Sequence, residues 1–178
     1  MLELLNEALR NSGGAYVIRA TASPMPQTRA INEAMASKGS VDLLWSMTTD
    51  ERESHLIPIR IPIDKGLIGW RIAFVHGSKK DIFRNIRSQR DLNNFHAGQV
   101  HDWPDTGILR SNGLQVTPTT TYEALFRMLQ AERFDYMPRA IFEIWQEQLT
   151  HSEFAIEIDP YIVLHYPSAY YFFVSPRH

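Results

Sequence analysis

Three stretches of this chain place hydroxyls, arginines and a helix start where a polar ligand can be held. The first is Ser40–Arg52, SVDLLWSMTTDER. An apolar strand ends at Trp45, and a polar turn with Ser46, Thr48, Thr49 and Arg52 follows. Ligands of parallel α/β sheets sit beyond the carboxyl ends of strands. Hydroxyls and backbone N–H groups there can bind oxyanions, and an arginine can grip a carboxylate through two bonds. The plainer reading is a capped helical turn, with Thr49 or Asp50 as cap and Arg52 in solvent. The second stretch, GQVHDWPDT at Gly98–Thr106, runs from a strand into a helix start. Free N–H groups at a helix N-terminus favour anionic groups, here around Asp105 and Thr106, and Trp103 offers an aromatic face. The alternative keeps Trp103 in the core and gives Asp105 only the helix dipole. The third, RFDYMPRAIFE at Arg133–Glu143, puts Arg139 at the end of a strand. Arg139 either meets a ligand or pairs with Glu143 four residues on.

Motifs of other chemistries are missing. No GxSxG, GxGxxG, P-loop or HExxH pattern occurs, so the expectation is a non-enzyme without cofactor. His96, His101 and Asp102 fit no zinc spacing, and no metal is expected. The chain has no cysteine, which removes disulfides, thiolate metal sites and a cysteine nucleophile.

The elements that position these residues read as α/β. Leu2–Asn11 is an amphipathic helix and Ala15–Thr21 a strand. Gln27–Ser37 is a helix, and Val41–Trp45 a strand covered on both faces. That alternation indicates a parallel sheet. Leu56–Ile63, with two prolines, is an edge or crossing segment. Gly66–Val75 is a strand and Lys79–Ile86 a short basic helix. Asp91–Phe95 is a helical turn, Gly98–His101 a strand, Pro104–Ser111 a helix and Leu114–Thr117 a strand. Thr121–Arg133 is a helix with Tyr122, Leu125, Phe126 and Leu129 on one face. Phe134–Met137 is a strand, Ala140–Leu149 a helix, and Tyr161–His165 and Tyr170–Val174 are strands. The middle alone carries a full α/β set, so one lobe (65–167) is inserted into another (1–64 and 168–178).

The 178 residues carry 44% hydrophobic and 21% charged residues, enough apolar chain to bury a core and too ordinary for disorder. A net charge of -2 gives no bulk signal for nucleic acid. No apolar run is long enough for a membrane helix. Leu2–Asn11 lacks the basic and apolar regions of a signal peptide.

In order and spacing, the three stretches resemble the type 2 periplasmic solute-binding proteins, in particular the extracellular solute-binding family of amino-acid ABC transporters. GSVDLLWSMTTDER is similar to that family's G-x-x-D strand and T-x-x-R ligand turn. RDLNNFHAGQVHDWPDTGIL resembles its strand leading to a helix N-terminus, and LFRMLQAERFDYMPRAIFE its L-x-x-G-R-x-D-a helix and strand. The resemblance implies a periplasmic-binding-protein-like α/β fold, two lobes joined by two crossing segments. It implies a chain truncated at both ends, with the outer lobe incomplete. It further implies a small-molecule ligand in an inter-lobe cleft and a hinge near Ile63–Gly69 and Tyr166–Tyr170. The partner would be the membrane permease of an ABC transporter, and the parent protein periplasmic or extracellular. A sensing domain of the same fold coupled to a signalling protein is the alternative. The implied ligand set is Trp45, Ser46, Thr48, Thr49, Arg52, Trp103, Asp105, Thr106 and Arg139. Where the family often has an acidic residue for a ligand's amino group this chain has Arg139, so the expected solute is polar and anionic. An incomplete outer lobe leaves an open sheet edge, and self-association is the expected consequence.

Overall fold

A computed structural model describes all 178 residues. The chain divides into two compact units, Met1–Lys65 with Tyr170–His178, and Gly66–Ala169. No helix is long and apolar enough to cross a membrane.

Unit 1 contains α1 (Leu2–Asn11), α2 (Gln27–Met35), β1 (Leu43–Met47), α3 (Asp50–His55), β2 (Ile57–Ile59) and β8 (Tyr170–Val174). Its sheet has the order β1-β8-β2, and β8 is antiparallel to both neighbours. The expected parallel pairing is therefore absent here: β8 returns from the far end of the chain and takes the central position. Ala15–Thr21 forms no strand and joins neither sheet, since strand composition alone supplies no ladder partner. Ala34, Val41, Leu44, Leu56 and Phe173 form the core of this unit. The end of α2 is held by the chain's last residues. Arg177 donates to the carbonyls of Glu33 and Ala34 in the helix's last turn and of Ala36 just beyond it. Gly39 is fixed by the same turn, since a Cβ there would lie 1.6 Å from the Glu33 carbonyl oxygen.

Unit 2 contains β3 (Trp70–His76), β4 (His96–Val100), α4 (Pro104–Ser111), β5 (Gln115–Thr119), α5 (Tyr122–Gln130), β6 (Tyr136–Ala140), α6 (Ile144–Thr150) and β7 (Ile156–His165). The sheet order is β5-β4-β6-β3-β7. β4 is parallel to β5 and β6, whereas β3 is antiparallel to β6 and β7. Successive side chains leave the sheet on opposite faces, so both faces are buried. Phe74, Met137 and Val100 pack with Leu125, Phe126 and Leu129 of α5 and Ile144 of α6. Ala73, Val75, Ala97 and Tyr136 pack with Leu109 of α4, Leu92 and Phe83. Gly98 lets Phe134 lie against β4, because a Cβ there would be 2.2 Å from the ring.

Two further expectations change in unit 2. Lys79–Ile86 forms turns rather than a helix. Phe83 enters the core edge-on to Phe95 and Tyr136, and that anchoring replaces helical periodicity. The helix expected from Ala140 begins at Ile144, because β6 runs on to Ala140. On β7, Ile72 faces Val163 while Phe74 faces Ile158, so Asp159–Ile162 bulge opposite Ala73. The Asp159 carboxylate accepts from the N–H groups of Tyr161 and Ile162 at 3.0 and 2.8 Å and holds the bulge.

Candidate functional site

In unit 2 the carboxyl ends of the parallel strands lead into polar structure. β4 ends at Val100, and Trp103 precedes α4, which has Pro104 at its first position. The Thr106 hydroxyl donates to the Val100 carbonyl at 2.8 Å and ties the first helical turn to the strand. Asp105, in that turn, is buried against Arg71 of β3, with Nη2 and Oδ1 2.9 Å apart. Arg71 Nε donates to the Tyr166 hydroxyl at 2.8 Å, and that hydroxyl donates to Asp105 Oδ1. Burial, with the Asp105 charge beside it, raises the Tyr166 pKa and keeps the phenol protonated.

A second arginine cluster leaves the opposite face of the sheet. Arg139 of β6 donates to both oxygens of Glu147, from Nε at 2.7 Å and from Nη2 at 2.5 Å. Nη2 also reaches Glu143 at 2.9 Å. The guanidinium carbon lies 4.7 Å from the centre of the Trp103 ring and 5.5 Å from that of Tyr122. Tyr122 donates to Glu147 at 2.9 Å. Burial opposes the charge on Arg139, but the bonds and charge of Glu147 and the charge of Glu143 outweigh it, and its pKa is raised. Burial also raises the pKa of Glu143, although its side chain keeps 35% of its exposure. Glu143 is the most open carboxylate of the two clusters, against 13% for Glu147 and 7% for Asp105.

Unit 1 carries its own polar turn. Thr49 caps α3, its hydroxyl accepting from the Arg52 N–H at 3.2 Å. The Arg52 side chain folds back under the turn. Nη1 donates to the Ser46 hydroxyl at 2.5 Å and to the Met47 carbonyl at 2.7 Å, and Nη2 to Gln27 at 2.8 Å. Thr48 donates to Glu53 at 2.6 Å, which with Arg60 holds that carboxyl below its usual pKa. Trp45 is partly exposed beside Phe172.

These positions sort the expected site residues. Trp103, Asp105, Thr106 and Arg139 lie at the strand ends of unit 2, and Trp45, Ser46, Thr48, Thr49 and Arg52 surround the turn of unit 1. Arg52 is buried rather than solvated. Ser46 and Thr106 are buried, and their hydroxyls are bonded within their own units. Arg139 does pair with Glu143, and Glu147 joins it. Two carboxylates already meet its charge, so the pairing lends the expected anionic solute no support at Arg139. Arg71, Tyr122, Glu147 and Tyr166 were not expected. A charged residue inside the apolar run GLIGWRIAFV was the one signal for Arg71. No group of three or more His, Asp or Glu is placed to hold a metal ion.

No protein-family model matches this chain, and no curated protein matches it. Solved structures do. An ancestral arginine-binding protein bound to arginine aligns with 98% of this chain and 73% of its own, at 14% identity and TM-score 0.68. The GluR0 ligand-binding core complexed with L-glutamate aligns with 99% of this chain and 76% of its own, at 14% identity and TM-score 0.68. A protein described as a binding component of an ABC transporter from Wolinella succinogenes, complexed with lysine, aligns with 99% of this chain and 72% of its own, at 10% identity and TM-score 0.71. At such identities the likeness speaks for architecture alone, and the architecture is a periplasmic-binding-protein-like α/β fold.

Proposed function

We propose that this chain binds a small polar solute without transforming it, at the carboxyl ends of the unit 2 strands. One observation carries the reading. Among Arg71, Asp105, Arg139, Glu143 and Glu147, three carboxylates meet two guanidiniums, and the surplus negative charge lies on the most exposed member, Glu143. The two clusters are close enough for the Arg71 and Asp105 charges to act on Glu143, and together they favour a solute with a protonated amino group over a simple anion. Trp103 and Tyr122, partly exposed beside it, offer faces for the apolar or cationic part of the solute. An amino acid has this chemistry, and the three similar structures hold arginine, glutamate and lysine. Arg71 and Arg139 are positioning residues here: they hold the carboxylates and stack the rings rather than meet the solute.

In this reading the protein works outside the cytoplasmic membrane and delivers its solute to the permease of an ABC transporter. The likeness to a ligand-binding core gives a second reading its footing, a sensing domain coupled to a signalling protein. Permease and ATPase genes beside this one favour transport; kinase or cyclase genes favour sensing.

The test is calorimetric titration of the 178-residue chain with basic, neutral and acidic amino acids and with simple dicarboxylates. Amino-bearing solutes should bind, and Glu143→Gln should weaken them by about tenfold or more. The reading fails if no member binds. It also fails if dicarboxylates bind best and Glu143→Gln leaves them unchanged.

A further inference from the structure

The face of the unit 2 sheet that packs on α4 carries a cavity of about 520 Å³. Its floor is the core itself. Leu92, Leu109 and Leu114 are buried members of that cluster, and Ile162 and Leu164 of β7 pack against them. The local sequence leaves this space open. The cover on this side is a run of turns followed by a short 3₁₀ helix, Gln89–Asn94, which buries only Leu92. No longer helix lays an apolar face over Ile162 and Leu164. Small-molecule sites are concave, mostly apolar and about 300–1,000 Å³ in volume, with a few polar groups placed at fixed points. None of Trp103, Tyr122, Arg139, Glu143 and Glu147 lines this cavity, so it is separate from the place proposed for the amino-bearing solute.

The charge at its mouth has one sign. Ser88, Gln89 and Asn112 border both the cavity and an adjoining hollow, and no carboxylate lines either. Arg87 borders the first and Arg90 the second. Arg87 Nη1 donates to the carbonyls of Arg84 and Ile86 at 3.0 and 2.8 Å. Those neutral acceptors fix the guanidinium without cancelling its charge. Arg90 forms no hydrogen bond or ion pair. Asp91, the acid of this loop, is turned to the backbone. Its Oδ2 accepts from the N–H groups of Arg87 and Ser88 at 2.9 and 2.8 Å and from the Ser88 hydroxyl at 3.1 Å. At the β7 end, Asp81 accepts from the Tyr161 hydroxyl at 2.5 Å and lies outside the lining.

From this arrangement we infer that the cavity binds an organic monoanion with an apolar body, its carboxylate at the Arg87–Arg90 rim and its hydrocarbon on the leucine and isoleucine floor. Both parts of such a ligand gain. The hydrocarbon leaves water for an apolar surface, and the carboxylate meets two cations that no acid side chain has paired. A cation of the same body would face two like charges, and a neutral molecule would use the floor alone.

Titration calorimetry of the 178-residue chain with octanoate, octylammonium and octanol tests this, with amide NMR shifts to locate the site. Octanoate should bind most tightly and octylammonium most weakly, and the octanoate shifts should fall on α4 and β7. Arg90→Gln breaks no bond within the fold. It should weaken octanoate about two- to fivefold and leave octanol unchanged. Adding Arg87→Gln should bring the loss to about tenfold. The proposal is overturned if octanoate does not bind, or if octylammonium binds as tightly. Octanoate binding that the double variant leaves unchanged, or whose shifts lie away from α4 and β7, overturns this cavity as the site.

Discussion

Unit 2 builds two core clusters, one on each face of a five-stranded sheet; unit 1 builds one, around three strands. The difference shows what a buried aromatic ring is worth in each setting. Phe126 and Phe173 both have no exposed surface. Phe126 is enclosed by Phe74, Tyr122, Phe154 and the stacked His151. Phe173 packs in a small cluster, with Tyr171 as its ring neighbour. The cost of truncation depends on how far the surroundings can collapse into the space left. Phe126→Ala should cost about 3–5 kcal/mol. Phe173→Ala should cost clearly less, in urea denaturation followed by tryptophan fluorescence. Equal losses would break the comparison and mean that the smaller core is as rigid as the larger.

The arginines sharpen the same contrast. Arg52 of unit 1 is held by a hydroxyl, a carbonyl and an amide, whereas Arg139 of unit 2 is held by two carboxylates. Removing charge from a buried pair strands the partner's charge, whereas removing a neutral acceptor loses one bond. Glu147→Gln should therefore destabilise unit 2 by about 1.5–3 kcal/mol. Gln27→Ala in unit 1 should cost about 0.5–1.5 kcal/mol. A larger loss at Gln27 would reverse the assignment of the stronger cluster.

Elements with local signals were legible in the sequence. α4 runs over Pro104–Ser111 as read, because proline starts it and Asn112-Gly113 stops it. The Thr121 cap donates its signal locally too, accepting from Ala124 N–H at 3.2 Å. Elements that need a distant partner were not legible. Ala15–Thr21 has strand composition, but composition cannot supply a neighbouring strand. The antiparallel order of unit 1 depends on β8, more than a hundred residues from β1. The candidate site divides in the same way. Arg139 with Glu143 is a contact across four residues and could be read. Arg71 meets Asp105 and Tyr166, the latter 95 residues away, and no spacing rule brings them together.

The smallest expected effect concerns the carboxylate proposed to meet the solute. Burial raises the pKa of Glu143 above its ordinary 4.5, although the charge of Arg139 works the other way. Between the unfolded and folded values the native state holds the proton more tightly, so stability falls as pH rises through that window. Above both values the full cost of keeping Glu143 ionised is present; below both it is gone. Glu143→Gln removes that cost, while Arg139 keeps both oxygens of Glu147. Thermal unfolding should therefore find the variant slightly more stable than the parent at neutral pH. The gain should shrink as the pH is lowered and vanish below about 4.5. A variant less stable at neutral pH would show that the 2.9 Å pairing with Arg139 outweighs burial. Glu143 would then belong to the scaffold with Glu147. A gain at neutral pH combined with weaker solute binding would mark Glu143 as a residue kept for binding at the expense of stability.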